Sequence, residues 1–186
     1  MNKMKVVIVI DMQNDFINGT LGTPEAAAIV SKVTKRIETA AKDELILFTQ
    51  DTHQSNYLET PEGKKLPVIH CIEGTQGWEL HPQIKTAWEA NEQVISLAEP
   101  NDHIFLKDVF GSTELVAFLQ AKQDQITEIE LLGVCTDICV VSNGLMIKNT
   151  LPELAIKVNK DCCAGATPQS HEAALEVMKM CHIEVF

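Results

Sequence analysis

No stretch of the 186-residue chain carries the roughly 18 consecutive apolar residues that a membrane-spanning helix needs, so no span is expected. Positive charge is scarce. Fifteen Lys and Arg against 26 Asp and Glu leave a net charge of −11. A surface of that sign repels polyanions, which argues against nucleic acid and anionic membrane surfaces as partners. The acids are scattered, which reads as solubility. There is no C-x₂-C pair, and Cys135 and Cys139 form a C-x₃-C with no second pair, a weak signal for structural zinc. Internal repeats, linkers and low-complexity tracts are also lacking. The chain therefore reads as one domain over 1–186, long enough to bury its own core.

Six cysteines (71, 135, 139, 162, 163 and 181) allow disulfides on parity alone. A chain with a sizeable core in a reducing compartment does not need them. A Cys135–Cys139 bridge has poor geometry if the segment is helical. The N-terminus, basic then apolar, has the look of a signal peptide, but its apolar run is only "VVIVI", ends at Asp11 and lacks a small-residue cleavage site. We read it as a first strand and the protein as cytoplasmic.

What is present is an alternation of short β-branched runs with helix-like stretches. Strands are expected at 5–11, 44–51, 103–108, 126–134, 153–158 and 182–186. Thr23–Pro24, Ser112 or Thr113, and Thr167–Pro168 mark helix starts. "TDICVVSNGLMIKN" can form a helix directly after the fourth strand. The alternation predicts a mostly parallel sheet with helices on both faces. Residues 52–79, rich in Gly and Pro and holding two histidines, resist assignment, and a long irregular insertion in a compact domain is usually functional or disordered. Ligands of open α/β sheets bind beyond the carboxyl ends of the strands. Asp11, Asp51, Lys107 and the "CTDIC" turn all fall there.

Each of these residues has two readings. Cys139 in the first turn of a helix sits where amide dipoles favour a thiolate, although a free cysteine is more often a buried core residue. Asp11 can serve as a general base or cap the next turn. Lys107 can stabilise negative charge at the sheet edge or snorkel to water. Asp51 and His53, two apart on a strand end, point the same way, and with His70 they offer divalent-metal ligands that Glu62 can complete. The bland alternative is loop histidines with local hydrogen bonds. His81, His103, His171 and His182 read as structural.

Taken together, "IDMQNDF", "DTH" with "HCIEGTQGWEL", "FLKDVFGS", "GVCTDICV" and "GATPQSHEAALEVM" resemble, in order and over nearly the whole chain, the isochorismatase-like cysteine hydrolases, nicotinamidases and pyrazinamidases most closely. The resemblance implies a three-layer α/β/α fold with a six-stranded, mostly parallel sheet. It implies a triad of Asp11, Lys107 and Cys139. It also implies a cis peptide between Val134 and Cys135, which would aim the amides of Cys135 and Cys139 into an oxyanion hole. One divalent ion (zinc, iron or manganese) would be held by Asp51, His53 and His70, with Glu62 as a further ligand. Phe16 matches an aromatic that packs on the substrate ring. Leu66 stands in a region where many nicotinamidases carry tryptophan, so the opposite wall departs from the pattern.

The implied activity is hydrolysis of a small-molecule amide, nicotinamide foremost, in an assembly of identical copies. The alternatives are a related hydrolase acting on another amide or carbamoyl group, and a non-catalytic binding protein. A phosphotransferase using Asp11 as nucleophile would want a second carboxylate at position 13, where Gln13 stands.

Overall fold

A computed structural model describes residues 3–186, the side chains of 100 and 101 aside. Its centre is a strand whose sequence leaves it no choice but burial. In β1 (Met4–Ile10) every residue but Lys5 is buried, and all eight residues of β2 (Glu44–Asp51) are. Continuous apolar runs of this kind suit strands covered on both faces. Each fully buried Val or Ile contributes about 1.5–3 kcal/mol, and Val6, Ile8 and Ile10 do so on one face of β1 while Val7 and Val9 do so on the other.

With β3 (Ile104–Lys107), β4 (Ile126–Val134), β5 (Ala155–Ala164) and β6 (Glu184–Val185), these strands form one sheet in the order β3-β2-β1-β4-β5-β6. Every neighbouring pair is parallel. The six expected strands are present. The fifth runs further than predicted, through the polar stretch Asn159–Asp161, because a register irregularity lets Gly133 pair with Cys163.

The helices take their starts from the expected caps. Thr23 accepts the Ala26 N–H at the head of α2 (Pro24–Glu38), whose buried stripe is Ala26, Ile29, Val30, Val33 and Ile37. Two other helices are short, α1 (Asn14–Ile17) before α2 and α3 (Pro61–Lys65) after β2. The helix α4 (Pro82–Ala90) was not expected; only Ile84 and Ala87 of its residues are buried, too sparse a stripe to announce it. Ser112 caps α5 (Thr113–Ala121), and Thr167 with Ser170 forms a capping box on α7 (Pro168–Met180).

One expectation needs correcting. Residues 136 onward do not begin an α-helix. Thr136–Val140 forms a wide π-type turn, with the Val140 N–H reaching the Cys135 carbonyl at 3.0 Å, and only then does α6 (Val141–Thr150) begin.

The chain starts in the middle of the sheet, builds outward through β2 to β3, then returns to lay β4, β5 and β6 on the other side of β1. Right-handed crossovers in opposite directions place helices on opposite faces. Accordingly α2 packs with α4, whereas α6 packs with α5 and α7. The reversal between β1 and β4 opens a crevice at their carboxyl ends, where ligands of such sheets bind.

Candidate active site

Asp11 follows the last residue of β1 and is fully buried, with φ at +48°, a left-handed backbone that a non-glycine residue adopts at a cost. The turn directs its carboxylate back over the sheet edge. Thr49 of β2 donates to Oδ1 at 2.6 Å, and Lys107 Nζ lies 2.7 Å from Oδ2. Lys107 closes β3 with its ammonium buried between two carboxylates, the second being Asp51, whose Oδ1 is 3.0 Å away. The same ammonium donates to Cys139 Sγ at 3.5 Å. Asp11, Lys107 and Cys139, drawn from three separate strand ends, therefore meet in one buried cluster.

Electrostatics set their protonation. Burial pushes the Cys139 thiol well up, the Asp11 carboxylate beside it pushes further, and the Lys107 charge only partly opposes. Burial also raises Asp11, against the pull of Lys107. For Lys107 burial disfavours the charge, but the carboxylates of Asp11 and Asp51 outweigh it and hold the ammonium charged well above its ordinary range. The resting cluster is thus a thiol beside an ammonium and a carboxylate poised to accept a proton.

Asp51, His53 and His70 converge beside this cluster, all buried. One ligand atom from each lies within 4.8 Å of the others. His53 Nε2 is 2.9 Å and His70 Nε2 3.5 Å from Asp51 Oδ2. The His70 Nδ1–H faces the Val68 carbonyl at 2.7 Å, which fixes the ring with its Nε2 turned towards the cluster. His53 Nε2 is buried without an aligned hydrogen-bond partner. Burial works against the Asp51 charge, but His53, His70 and Lys107 outweigh it and hold the carboxyl well below the usual range. An ionised carboxylate and two imidazole nitrogens, one of them without an aligned partner, converge as a donor set that fits a divalent cation. Glu62 stands at the rim, its Oε1 3.8 Å from His53 Nε2.

A cavity of about 280 Å³ reaches Cys139 and Asp51, walled by Phe16, Leu66, Phe110 and Ile138. The Phe16 ring lies 5.6 Å from that of His70, tilted by 60°. Leu66 is 38 % exposed, and beyond it a groove of about 680 Å³ shares Glu62, Leu66, Phe110 and Ile138 with the inner cavity. Cys135 also lines the inner cavity, and the Val134–Cys135 peptide is cis as expected. Burial, reinforced by Asp137, pushes the Cys135 thiol up to about 12. All six cysteines are free.

Several residues that matter here escaped the sequence reading. Gln13, fully buried, accepts the Asp51 N–H and donates to the Asp51 and Trp78 carbonyls, each at 2.8 Å, so it clamps the strand end that bears Asp51. Asp15 Oδ2 accepts the Cys71 N–H at 2.8 Å and so steadies the residue after His70. His171, read as structural, pairs with the buried Thr136 hydroxyl at 2.8 Å, next to Cys135. The run of polar residues directly after β1 was the available signal for the first two. His103 is structural as expected, linking the Ile46 carbonyl and the Leu97 N–H.

The fold recurs among known proteins. The Isochorismatase domain family matches residues 5–185. The chain is similar to a nicotinamidase/pyrazinamidase of Mycobacterium tuberculosis, 29 % identical over 195 residues and covering 98 % of each chain. Among solved structures it is similar to the pyrazinamidase of Pyrococcus horikoshii in complex with zinc, at 26 % identity, TM-score 0.76 and 98 % of each chain. It is also similar to a nicotinamidase/pyrazinamidase of Bacillus subtilis, at 25 % identity, TM-score 0.78 and 98 % of each chain.

Proposed function

The chain belongs to the isochorismatase family, and from that premise we propose that it is a cysteine amidohydrolase that converts nicotinamide to nicotinate and ammonia. One observation carries the reading: Lys107 Nζ lies 2.7 Å from Asp11 Oδ2 and 3.5 Å from the Sγ of Cys139, which lines a cavity large enough for a substituted pyridine.

Asp11 takes the thiol proton as sulfur attacks the carboxamide carbon, and Lys107 steadies the negative charge that develops on sulfur. The carbonyl oxygen becomes an oxyanion held by the amides of Cys135 and Cys139. Asp11 then delivers its proton to the departing nitrogen, the C–N bond breaks and ammonia leaves. Asp11 removes a proton from water, which attacks the thioester; the C–S bond breaks and the sulfur recovers a proton. Phe16 offers a flat face to the ring. Asp51, His53 and His70, with Glu62 at the rim, would hold a divalent ion, which supplies a Lewis-acidic anchor for a ring nitrogen. Zinc, iron and manganese all suit that donor set.

A second reading has its own observation. The half-exposed Leu66 and Phe110 line both the inner cavity and the larger groove. An amide or carbamoyl compound with a longer acyl part can extend past them.

Ammonia release decides between the readings. With metal supplied, kcat/KM is compared for nicotinamide, pyrazinamide, benzamide and a carbamoyl amino acid. Nicotinamide should be best, pyrazinamide fair, and benzamide, lacking a ring nitrogen, much poorer. Release from the carbamoyl compound with none from nicotinamide would replace the substrate and keep the chemistry.

A further inference from the structure

The Asn143 side chain is fully buried, yet no step above uses it. It lies in the first turn of α6, one helical turn beyond Cys139. Its Nδ2 donates to the Cys139 carbonyl at 2.8 Å and to the Phe110 carbonyl at 3.1 Å, while its Oδ1 accepts the Ser112 N–H at 2.9 Å. Both amide hydrogens and the oxygen are thus engaged, and this arrangement fixes the amide's orientation. The three partners belong to two different parts of the site. Cys139 carries the thiol. Phe110 and Ser112 lie on the connection that leaves β3 just after Lys107, and Phe110 walls both the inner cavity and the outer groove.

We infer that Asn143 is a positioning residue that locks the backbone of Cys139 to the Phe110–Ser112 connection, so that the nucleophile and the substrate wall keep one spacing. The inference rests on the reading of Cys139 as nucleophile. The wall needs such a tie. Phe110 is 48 % exposed and its own side chain has little to hold it, whereas a buried amide saturated by three backbone groups cannot shift without leaving a polar group unpaired. The turn that bears Cys139 needs it equally, because there the Val140 N–H bonds the Cys135 carbonyl, five residues back, and the regular α-helical ladder is not in place.

Asn143→Thr and Asn143→Val separate the two ends of the tie. Both side chains lose the bonds to Phe110 and Ser112. Threonine in a helix can still donate to the carbonyl one turn back, which here is that of Cys139; valine, of the same shape, cannot. At equal concentrations of folded, metal-loaded protein, both variants should raise the KM for nicotinamide. Valine alone should also lower kcat and slow iodoacetamide labelling of Cys139, by about fivefold or more, the worth of one hydrogen bond expressed as a rate. A wild-type KM in both variants, or equal kcat and labelling rates for Thr and Val, would overturn the inference. If the valine variant does not fold, Asn143→Asp replaces it, since it keeps the size and the acceptor for Ser112 but loses the amide donors. Cys139→Ala distinguishes the two failures. Turnover surviving in that variant sinks the nucleophile reading, and if nicotinamide proves not to be the substrate the labelling rates still judge Asn143.

Discussion

Lys107 Nζ and Asp51 Oδ1 lie 3.0 Å apart in the protein interior, and this single contact joins the thiol cluster to the Asp–His–His cluster. Asp51 thereby serves both: one oxygen faces the ammonium and the other faces the imidazoles of His53 and His70. The two clusters are coupled through Asp51, while Asp11 belongs to the first alone and His53 to the second alone.

That coupling is asymmetric under mutation. Asp11→Asn should reduce kcat by about 100-fold or more, the usual worth of a positioned general base, while leaving stoichiometric metal bound. His53→Ala should lose the metal. Asp51→Asn should do both. Metal analysis of the purified variants beside ammonia-release kinetics checks the pattern; a full metal complement in His53→Ala would move the ion elsewhere.

Of the two thiols that line the cavity, Cys139 alone touches Lys107. Cys139→Ala should abolish turnover and active-site alkylation, whereas Cys135→Ala should retain substantial turnover. Mass spectrometry after limited iodoacetamide treatment identifies the labelled residue, and full activity in Cys139→Ala would remove it from the mechanism.

Gly133 sits in β4 just before the cis peptide, with φ at +117°, and a Cβ there would stand 2.1 Å from the Ile10 carbonyl oxygen of β1. Both the backbone angle and the contact exclude alanine without movement of a central strand. Gly133→Ala should cost about 3 kcal/mol or more of stability, read as a lowered midpoint in urea. A midpoint equal to that of the parent protein would show that the strand adapts.

Away from the site, Arg36 of α2 binds Glu44 and Glu130 with bonds of 2.7 Å to each. Burial pushes the Glu44 carboxyl up, but hydrogen bonds from Arg36 and the Ala41 N–H outweigh it and hold it below the usual range. A carboxylate depressed in the folded state adds stability that is present above its unfolded value of about 4.3 and is lost as pH falls through the folded one. Melting temperature should therefore fall on acidification from about pH 5 towards 3. Arg36→Met should be less stable at pH 7 and show a shallower fall over the same window, because Glu44 then loses the partner that depresses it. Parallel pH profiles for the two proteins would contradict this.

Much of the framework was legible in the primary structure for local reasons. Short β-branched runs such as "VVIVI" and "LILF" can satisfy burial on both faces only in a covered parallel sheet, and Thr–Pro pairs at 23 and 167 carry their own capping chemistry. The spacing of Asp51 and His53 placed them on one side of a strand end, as the 2.9 Å contact shows. Locally weak signals were missed. The helix α4 has too small an apolar stripe to read. The π-type turn at Thr136–Val140 has the same residue pattern as an α-helix start and differs only in which carbonyl the Val140 N–H reaches.

The sequence by itself determined which polar residues stand at the strand ends, because residue type and hydrophobic period are local properties, while their roles in a site were what the family resemblance implied. Only the tertiary structure decided that Asp11, Lys107 and Cys139, up to 128 positions apart in the chain, share one ammonium, and that Gln13 and Asn143 hold the pieces in register. Those bonds join backbone groups of one segment to a side chain of another, and such a partner has no signature in the residues flanking either end. It arises only once the sheet has brought the strand ends together and excluded the water that would otherwise satisfy them.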